Sequence, residues 1–212
     1  MKKALLFFLV ALSALAADAD TMGELFVREN NGLLNSLSVE TREELCDNYK
    51  NHDTGMVMNN FNDTTSRILM MTDNEMLVAT SSSARVHFKL LLTPGKKDTL
   101  IMAVETFLIP VPDSRITFYN TQWKAQLTSK YFKMPALADF VLPAMPRPLR
   151  DELNGSVDMS TVELQLEGNI LTARLHLDRF MDKAQYARFA PWLRRELRYQ
   201  VKNNKIQAIK EK

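Results

Sequence analysis

Two of the three histidines are placed where they could act together. His87 and His176 each lie on the polar side of a segment in which apolar and polar residues alternate. Such alternation is typical of a β-strand with one buried face. If the two strands were neighbours, the imidazoles could bind a metal ion between them. Exposed sheet histidines are the more usual outcome, so the sequence predicts no metal site.

The other candidate reactive groups have a structural interpretation that we prefer. Cys46 is the only cysteine and cannot form an internal disulfide, and no neighbour in sequence would lower its pKa, so we expect a buried core thiol. Ser81–Ser83 is expected to be a polar turn, because a nucleophile needs a positioned base and an oxyanion hole. Met56 and Met58 could offer thioethers to copper(I), but core packing is their expected role.

Motifs that carry common chemistries are missing from the sequence. It contains no glycine-rich phosphate loop, no nucleophile elbow and no His-Glu-x-x-His pair. We therefore predict no catalytic residue and no cofactor. Whether the protein is an enzyme stays open at this point, and we favour a protein that is not one.

One segment, residues 112–123, combines a turn, an aromatic strand and a tryptophan whose position looks exposed. Aromatic side chains and arginine are frequent anchors of binding surfaces. The candidate binding residues are Asp113, Arg115, Tyr119 and Trp123. The interpretation that we prefer is structural: Phe118 and Trp123 pack in the core while Asp113 or Ser114 closes the turn.

The elements that would position these residues follow from hydrophobic periodicity and turn signals. Apolar spacing and capping hydroxyls predict two helices near the start of the chain, over residues 22–27 and 39–50. A change to period two predicts strands over 56–61, 66–72, 75–80, 85–93, 99–109 and 116–121, with a hairpin turn at 94–98.

After residue 130 the chain changes character. Four prolines interrupt residues 131–153 and limit it to short helices over 136–141 and 147–153. A hairpin over 161–177, a helix over 182–193 and a last hairpin over 197–209 follow. Segregated runs of this kind favour an α+β fold, mainly antiparallel sheet in a meander and hairpins with short helices packed on it. Helices followed by a meander occur twice, which leaves two similar α-then-β halves open.

The first residues have the pattern of a cleavable signal peptide. Lys2 and Lys3 precede an apolar run, and small residues follow, which predicts a signal peptide over 1–16 with a cut after Ala16 or Ala19. The run is shorter than the roughly 20 residues that span a bilayer, and no later segment reaches that length. We expect export to the periplasm or beyond, with a single α+β domain over 17–212 and a sub-boundary near 143–148.

Charge is distributed unevenly along this chain. Residues 174–212 contain eleven basic and four acidic residues, whereas residues 17–173 contain 14 basic and 21 acidic ones. Such asymmetry can mark a basic surface for an anionic partner. The interpretation that we prefer is that the two parts complement each other within one fold, and export argues against a nucleic-acid partner.

Several motifs resemble those of a known family. Val104-Glu105-Thr106, then residues 112–119 with Trp123, then Leu137-Ala138-Asp139-Phe140 and residues 180–186 are similar to an uncharacterised family of secreted Bacteroidetes proteins, a domain of unknown function. The resemblance spans most of the chain after the signal peptide. It implies a Gram-negative envelope setting and brings no catalytic residues.

Three functions remain open at this point. We expect a non-enzymatic envelope protein that binds a protein or glycan partner through a sheet face or edge. The alternatives are a hydrolase whose site assembles from distant residues, and a periplasmic carrier of lipids or other hydrophobes. His87, His176 and a carboxylate meeting in a deep cleft would favour the hydrolase, and a large apolar cavity would favour the carrier.

Overall fold

Residues 20–92, 99–157 and 159–210 are described by the computed structural model. The expected signal peptide and its cleavage sites lie outside the described residues, as does the expected turn at 94–98. The helices are α1 (Met22–Val27), α2 (Val39–Lys50), α3 (Leu137–Phe140), α4 (Arg147–Ser156) and α5 (Lys183–Phe189). Within the described ranges, no helix has the length and apolar character needed to cross a bilayer.

Seven strands form a large sheet in which every neighbouring pair is antiparallel. They are β1 (Val57–Met58), β2 (Thr64–Met71), β3 (Glu75–Ser81), β4 (Ala84–Leu91), β5 (Leu100–Phe107), β6 (Asp113–Asn120) and β7 (Ala125–Gln126). Their spatial order follows their sequence order. The strand expected over 56–61 is only two residues long, because Asn59 leaves the sheet to bond Thr80 O (3.0 Å) and the backbone of the following turn.

A second, four-stranded sheet follows. Its strands are β8 (Thr161–Glu167), β9 (Ile170–His176), β10 (Glu196–Lys202) and β11 (Lys205–Ala208), again antiparallel in sequential order. Gly168 turns β8 into β9 with φ 56°, and Asn203 turns β10 into β11 with φ 55°. The expected α+β class with mainly antiparallel sheet is therefore confirmed. Helices precede a meander twice, but the meanders have seven and four strands and α5 interrupts the second.

The first two helices cover one face of the large sheet. Thr21 Oγ1 accepts the Glu24 N–H (3.3 Å) and Ser38 Oγ accepts the Thr41 N–H (3.1 Å), so hydroxyl groups cap both helices, as expected for α2. Their inner faces pack on the sheet in a core that includes Leu25, Phe26, Leu45, Met76, Phe88 and Ile101. We refer to this face of the sheet as the helix side.

A buried ion pair fixes α1 against α2. Arg42 and Glu29 are 4% and 5% exposed, with Arg42 Nη1 3.7 Å from Glu29 Oε2. The same Nη1 donates to the carbonyls of Phe26 (2.9 Å) and Glu29 (2.8 Å) at the end of α1. The Glu29 carboxylate accepts N–H groups from the loop that follows, including Leu33 and Leu34. These contacts satisfy backbone groups that the end of α1 leaves unpaired.

The central strand β5 is covered on both faces, as its continuous apolar run predicts. Ile101 and Ala103 pack on the helix side, while Met102 and Val104 pack with the second sheet. That second core also contains Phe118, Phe132, Leu164, Leu171 and Val201. Covering both faces explains why β5 shows no alternation of polar and apolar residues.

A third apolar cluster joins α4 and α5 beside the second sheet, through Leu153, Leu177 and Phe189. The helix expected over 182–193 ends at Phe189, because Pro191 has no N–H to continue the α-helical ladder and the chain tightens into a 3₁₀ turn, Ala190–Trp192. Residues 143–148 connect α3 to the first turn of α4. A single domain with a sub-boundary there stays a prediction.

Candidate functional site

The second sheet contacts the large sheet through its edge strand, β8. The outer edge of β8 points at β6, where Ser114 Oγ accepts the Leu164 N–H (2.9 Å) and Asp113 Oδ1 accepts the Val162 N–H (3.2 Å). Ser114 Oγ also bonds Thr106 Oγ1 (2.9 Å) on β5. Two edge N–H groups of β8 are therefore satisfied by side chains of β6, and β8 lies against β6 and beside β5.

This arrangement gives the second sheet one apolar and one polar face. Leu164 and Leu166 turn toward β6 and the core beyond it. Glu163 and Gln165 turn the other way, toward β4. The polar face of the second sheet meets the polar side chains of β3 and β4, and we call this region the sheet corner. Two hydrogen bonds cross between the sheets there, from Arg85 to Glu163 and from Lys89 to Gly168 O.

Glu163 lies at the centre of the sheet corner with a side chain only 9% exposed. Its Oε1 accepts from Arg85 Nη2 (2.8 Å) of β4 and from Gln165 Nε2 (2.9 Å). Its Oε2 lies 3.2 Å from His176 Nε2. This buried carboxylate therefore joins the two sheets through the Arg85 guanidinium, and it also contacts the imidazole of His176 in its own sheet. A buried charge in such a place must be compensated in this way.

A second carboxylate, Glu75 on β3, binds two groups of β4. Its Oε1 lies 2.8 Å from His87 Nε2 and its Oε2 lies 2.6 Å from Lys89 Nζ. Lys89 Nζ also donates to Gly168 O (2.8 Å) at the tip of the second sheet. Burial lowers the pKa of His87 below its ordinary value, although the hydrogen bond to Glu75 opposes that change. The imidazole is therefore held neutral near pH 7.

The geometry bears directly on the expected chemistry of the two histidines. Both lie on the sheet corner, but each contacts its own glutamate, and Arg85 lies against one of those glutamates. In the described residues, no group of three or more His, Cys, Asp or Glu could hold a metal ion. A histidine–carboxylate pair can orient a base, but the hydrogen bonds described for both imidazoles reach only a carboxylate.

The exposed face of β1–β3 carries apolar residues where an antiparallel sheet usually presents polar ones. Val57 packs on the helix side, so its neighbours Met56 and Met58 point to the opposite face, 48% and 54% exposed. Met70 pairs with Leu77 across β2 and β3 on that same face. Phe61, 72% exposed, adjoins it in the β1–β2 turn. We call these five residues the methionine face.

The core-packing role expected for Met56 and Met58 is thus wrong. The buried residue of this short strand is Val57, 7% exposed. The two thioethers do share a face, as the alternation predicts, but that face is turned to solvent.

The four candidate binding residues separate into two pairs. Asp113 and Arg115 are exposed at the start of β6. Asp113 bonds the edge of β8, and Arg115 forms a salt bridge with Glu105 of β5. Both therefore have structural contacts, although their outer atoms face solvent.

Tyr119 and Trp123 lie at the far end of β6 and are 7% and 3% exposed. The Trp123 indole Nε1 donates to Leu25 O (2.9 Å) of α1, and its ring packs edge-on against Phe88 at 5.9 Å. The preferred interpretation, in which Trp123 packs in the core, is confirmed, and a left-handed backbone at this residue (φ 59°) turns the indole to the helix side. Its exposed-looking place in the sequence was misleading.

Two grooves lie around α1 and α2, away from the sheet corner. The larger, about 890 Å³, runs between α1, α2 and the β2–β3 turn and is lined by charged residues that include Asp20, Glu24, Arg28, Asp47 and Lys50. Cys46 borders it but is 4% exposed, and burial raises the pKa of its thiol, which confirms the expected core thiol. An open, charged groove does not favour a carrier of hydrophobes.

Sequence reasoning identified the histidines but missed their partners Glu75, Arg85 and Glu163. The signal was present in part: Arg85, His87 and Lys89 alternate on one face of β4, and Glu163 and Gln165 do so on β8. The contact between Glu163 and Arg85 depends on how β8 of the second sheet packs against the large sheet. Strand alternation does not show which strands of two different sheets face each other.

Comparison with known proteins gives the family and the fold. A family model described as "Protein of unknown function (DUF3256)" matches residues 14–206. No curated protein matches the chain. A solved structure, a domain of an uncharacterized protein from Porphyromonas gingivalis W83, is similar with a TM-score of 0.73 and 22% identity, covering 91% of this chain and 100% of that chain. At this identity the likeness shows a shared fold. The expected resemblance is confirmed at the level of an uncharacterised family with a Bacteroidetes relative.

Proposed function

This chain belongs to the DUF3256 family of proteins of unknown function, and from its own surface we propose that it is a non-enzymatic, exported binding module. The setting is the cell envelope, either the periplasm or the cell exterior. The partner is a protein, and the contact is the methionine face. Support for export comes from the basic, apolar and small-residue pattern of the first residues.

The observation that carries this proposal is the exposure of Met56, Met58 and Phe61 next to one another at one edge of the large sheet. Contiguous exposed apolar side chains are typical of protein–protein contacts. Methionine is flexible and polarizable, so a surface rich in it adapts to a partner. The charged groups of the sheet corner lie beside it and would supply the polar rim of such a contact.

A protein is favoured over a glycan at this surface. Neutral sugars are typically held by planar aromatic side chains, whereas the methionine face has a single aromatic residue, Phe61, beside thioethers and Leu77. The hydrolase alternative has less support, because the imidazoles of the sheet corner are bound to carboxylates and no nucleophile among the described residues is hydrogen-bonded to them.

The experiment compares capture by three forms of the chain that starts at Asp20. The wild type is used as bait in envelope extracts beside a variant with Met58→Glu and Phe61→Glu. The control is Leu127→Glu, which changes an equally exposed residue (74%) just after β7, at the opposite edge of the sheet. We expect a specific protein that the wild type and the control retain and the methionine-face variant loses.

Two results would contradict the proposal. One is capture that the methionine-face variant and the control reduce equally. The other is no partner at all, together with turnover in a substrate screen that His176→Ala abolishes. Export is tested separately by mass spectrometry of the native N-terminus, where an intact Met1 on a cytosolic species would overturn it.

A further inference from the structure

The polar face of the second sheet becomes strongly basic with distance from the large sheet. On β9–β11, Ala173 and Val201 pack in the core, so the residues that alternate with them point outward. Four of these outward residues are exposed cations: Arg174, Arg198, Lys202 and Lys205. We call them the basic strip. They extend over about six residues of β10, or about 20 Å at the rise of a β-strand.

Few acidic groups neutralise the basic strip. Glu196 is shared between Arg174 Nε (3.6 Å) and Arg198 Nε (3.9 Å), and all three side chains are at least 36% exposed. In the described part of the chain, Lys202 and Lys205 have no carboxylate within 4.0 Å. Exposed pairs at such distances contribute little, so the strip keeps most of its positive charge.

The register adds an unfavourable contact that the sequence tolerates. Lys202 and Lys205 are direct cross-strand partners at the end of the β10–β11 hairpin. Like charges placed opposite each other destabilise a sheet.

The basic end of the chain and its acidic remainder were expected to complement each other, but few ion pairs join them. Within the described residues, two groups after residue 173 contact carboxylates of the preceding part: His176 contacts Glu163, and Arg188 contacts Glu152.

Most neutral residues between these cations are hydrogen-bonding groups, and the aliphatic exceptions are Ile170 and Ile209. Thr172 is the cross-strand partner of Arg198, and Gln200 is the partner of Gln207. Gln200 Nε2 donates to Asn169 O (3.1 Å), which leaves its amide oxygen to accept from a ligand. The aromatic residue of β10, Tyr199, lies on the opposite face against Phe132, 5.1 Å between ring centroids.

From this combination we propose that the basic strip binds an acidic polysaccharide, a chain of sugars with repeated carboxylate groups. The cations match the carboxylates, and the amides and hydroxyl match the sugar hydroxyls. Single-stranded nucleic acid would need exposed aromatic rings for its bases. A lipid surface would need several large apolar side chains beside the cations, whereas this face offers only the half-buried Ile170 and the partly exposed Ile209. This site is separate from the methionine face, so either proposal can fail alone.

Affinity electrophoresis tests the proposal with polygalacturonate as the probe and neutral dextran as the reference polymer. The chain that starts at Asp20 is compared with the variant Lys202→Gln/Lys205→Gln and with the control Lys124→Gln/Lys130→Gln, which removes the same charge near β7. We expect polygalacturonate, but not dextran, to retard the wild type, and added salt to weaken the effect. The strip variant should bind about tenfold more weakly, and the control should bind like the wild type.

Each other outcome overturns the proposal. Equal loss in the strip variant and the control would mean unspecific attraction to net charge. Tighter binding of a single-stranded oligonucleotide or of anionic vesicles would assign the strip to another class of ligand. If neither polymer retards the wild type, the strip does not bind a polysaccharide. The strip variant should still capture the protein partner of the methionine face, which separates the two proposals.

Discussion

Removing the hydroxyl of Ser114 should weaken the junction between the two sheets more than its small size suggests. Ser114 Oγ accepts the Leu164 N–H of β8 at 2.9 Å and bonds Thr106 Oγ1 at the same distance. Ser114 and Thr106 are 8% and 2% exposed, so water cannot readily replace either partner. In Ser114→Ala the edge N–H of β8 is left buried without an acceptor.

The magnitude follows from the two broken bonds. Leaving a buried donor unsatisfied costs about 1–3 kcal/mol, and losing an ordinary hydrogen bond costs about 1 kcal/mol. We expect Ser114→Ala to lower the free energy of unfolding by about 2–3 kcal/mol. The matched control is Thr106→Val, which removes only the hydroxyl–hydroxyl bond while Ser114 still accepts from Leu164, and should cost about 1 kcal/mol.

Urea unfolding followed by circular dichroism measures the difference between the variants. With a slope of about 2 kcal/mol per molar, the midpoint of Ser114→Ala should fall by about 1 M or slightly more, and that of Thr106→Val by about half of that. Hydrogen exchange should show faster exchange at the Leu164 amide in Ser114→Ala alone. Equal destabilisation by the two variants, with Leu164 still protected, would refute the assigned role of this hydroxyl.

Three further variants test other contacts. Arg42→Met leaves the buried carboxylate of Glu29 without its cation and should cost about 3–5 kcal/mol in urea unfolding; a loss below 1 kcal/mol would mean that the pair is dispensable. Trp123→Phe removes the donor of Leu25 O and should cost about 1–2 kcal/mol, and an unchanged midpoint would contradict the role of the indole N–H. Burial lowers the pKa of His87 in the folded protein. As the pH falls below about 6.5, the imidazole of the unfolded chain therefore takes up a proton at a higher pH than the imidazole of the folded protein does. Stability should therefore be complete above that pH and decrease on acidification, and His87→Gln should reduce the decrease; identical pH profiles would show that His87 is not responsible.

Much of this fold could be predicted from local patterns, because those patterns record which face of an element is buried. The two early helices were predicted with their observed bounds from apolar spacing, and for α2 also from the capping hydroxyl of Ser38; the Thr21 cap of α1 was not predicted. The two-sided burial of β5 was predicted from its unbroken apolar run. Both features depend on residues close together in the sequence.

The remainder depends on relations between distant residues. No local pattern indicates that Ser114 and Asp113 would close the edge of a strand some fifty residues later. Nor does the sequence around Trp123 suggest a left-handed backbone, which bulky residues rarely adopt. The indole's bond to α1 and its packing against Phe88 hold that conformation in place. The candidate site was missed for the same reason, because it forms only where β8 of the second sheet meets β4 of the large sheet.

The way in which this molecule ends its sheets has a consequence for self-association. Edge strands readily recruit further strands from neighbouring molecules. Here β1 and β7 are two residues long, and the edge of β8 is occupied by side chains of β6. Strand β11, at the far edge of the second sheet, carries Lys205 at its start. Damage to the Ser114 contact would therefore open the seven-residue edge of β8 to pairing with a strand of a neighbouring molecule.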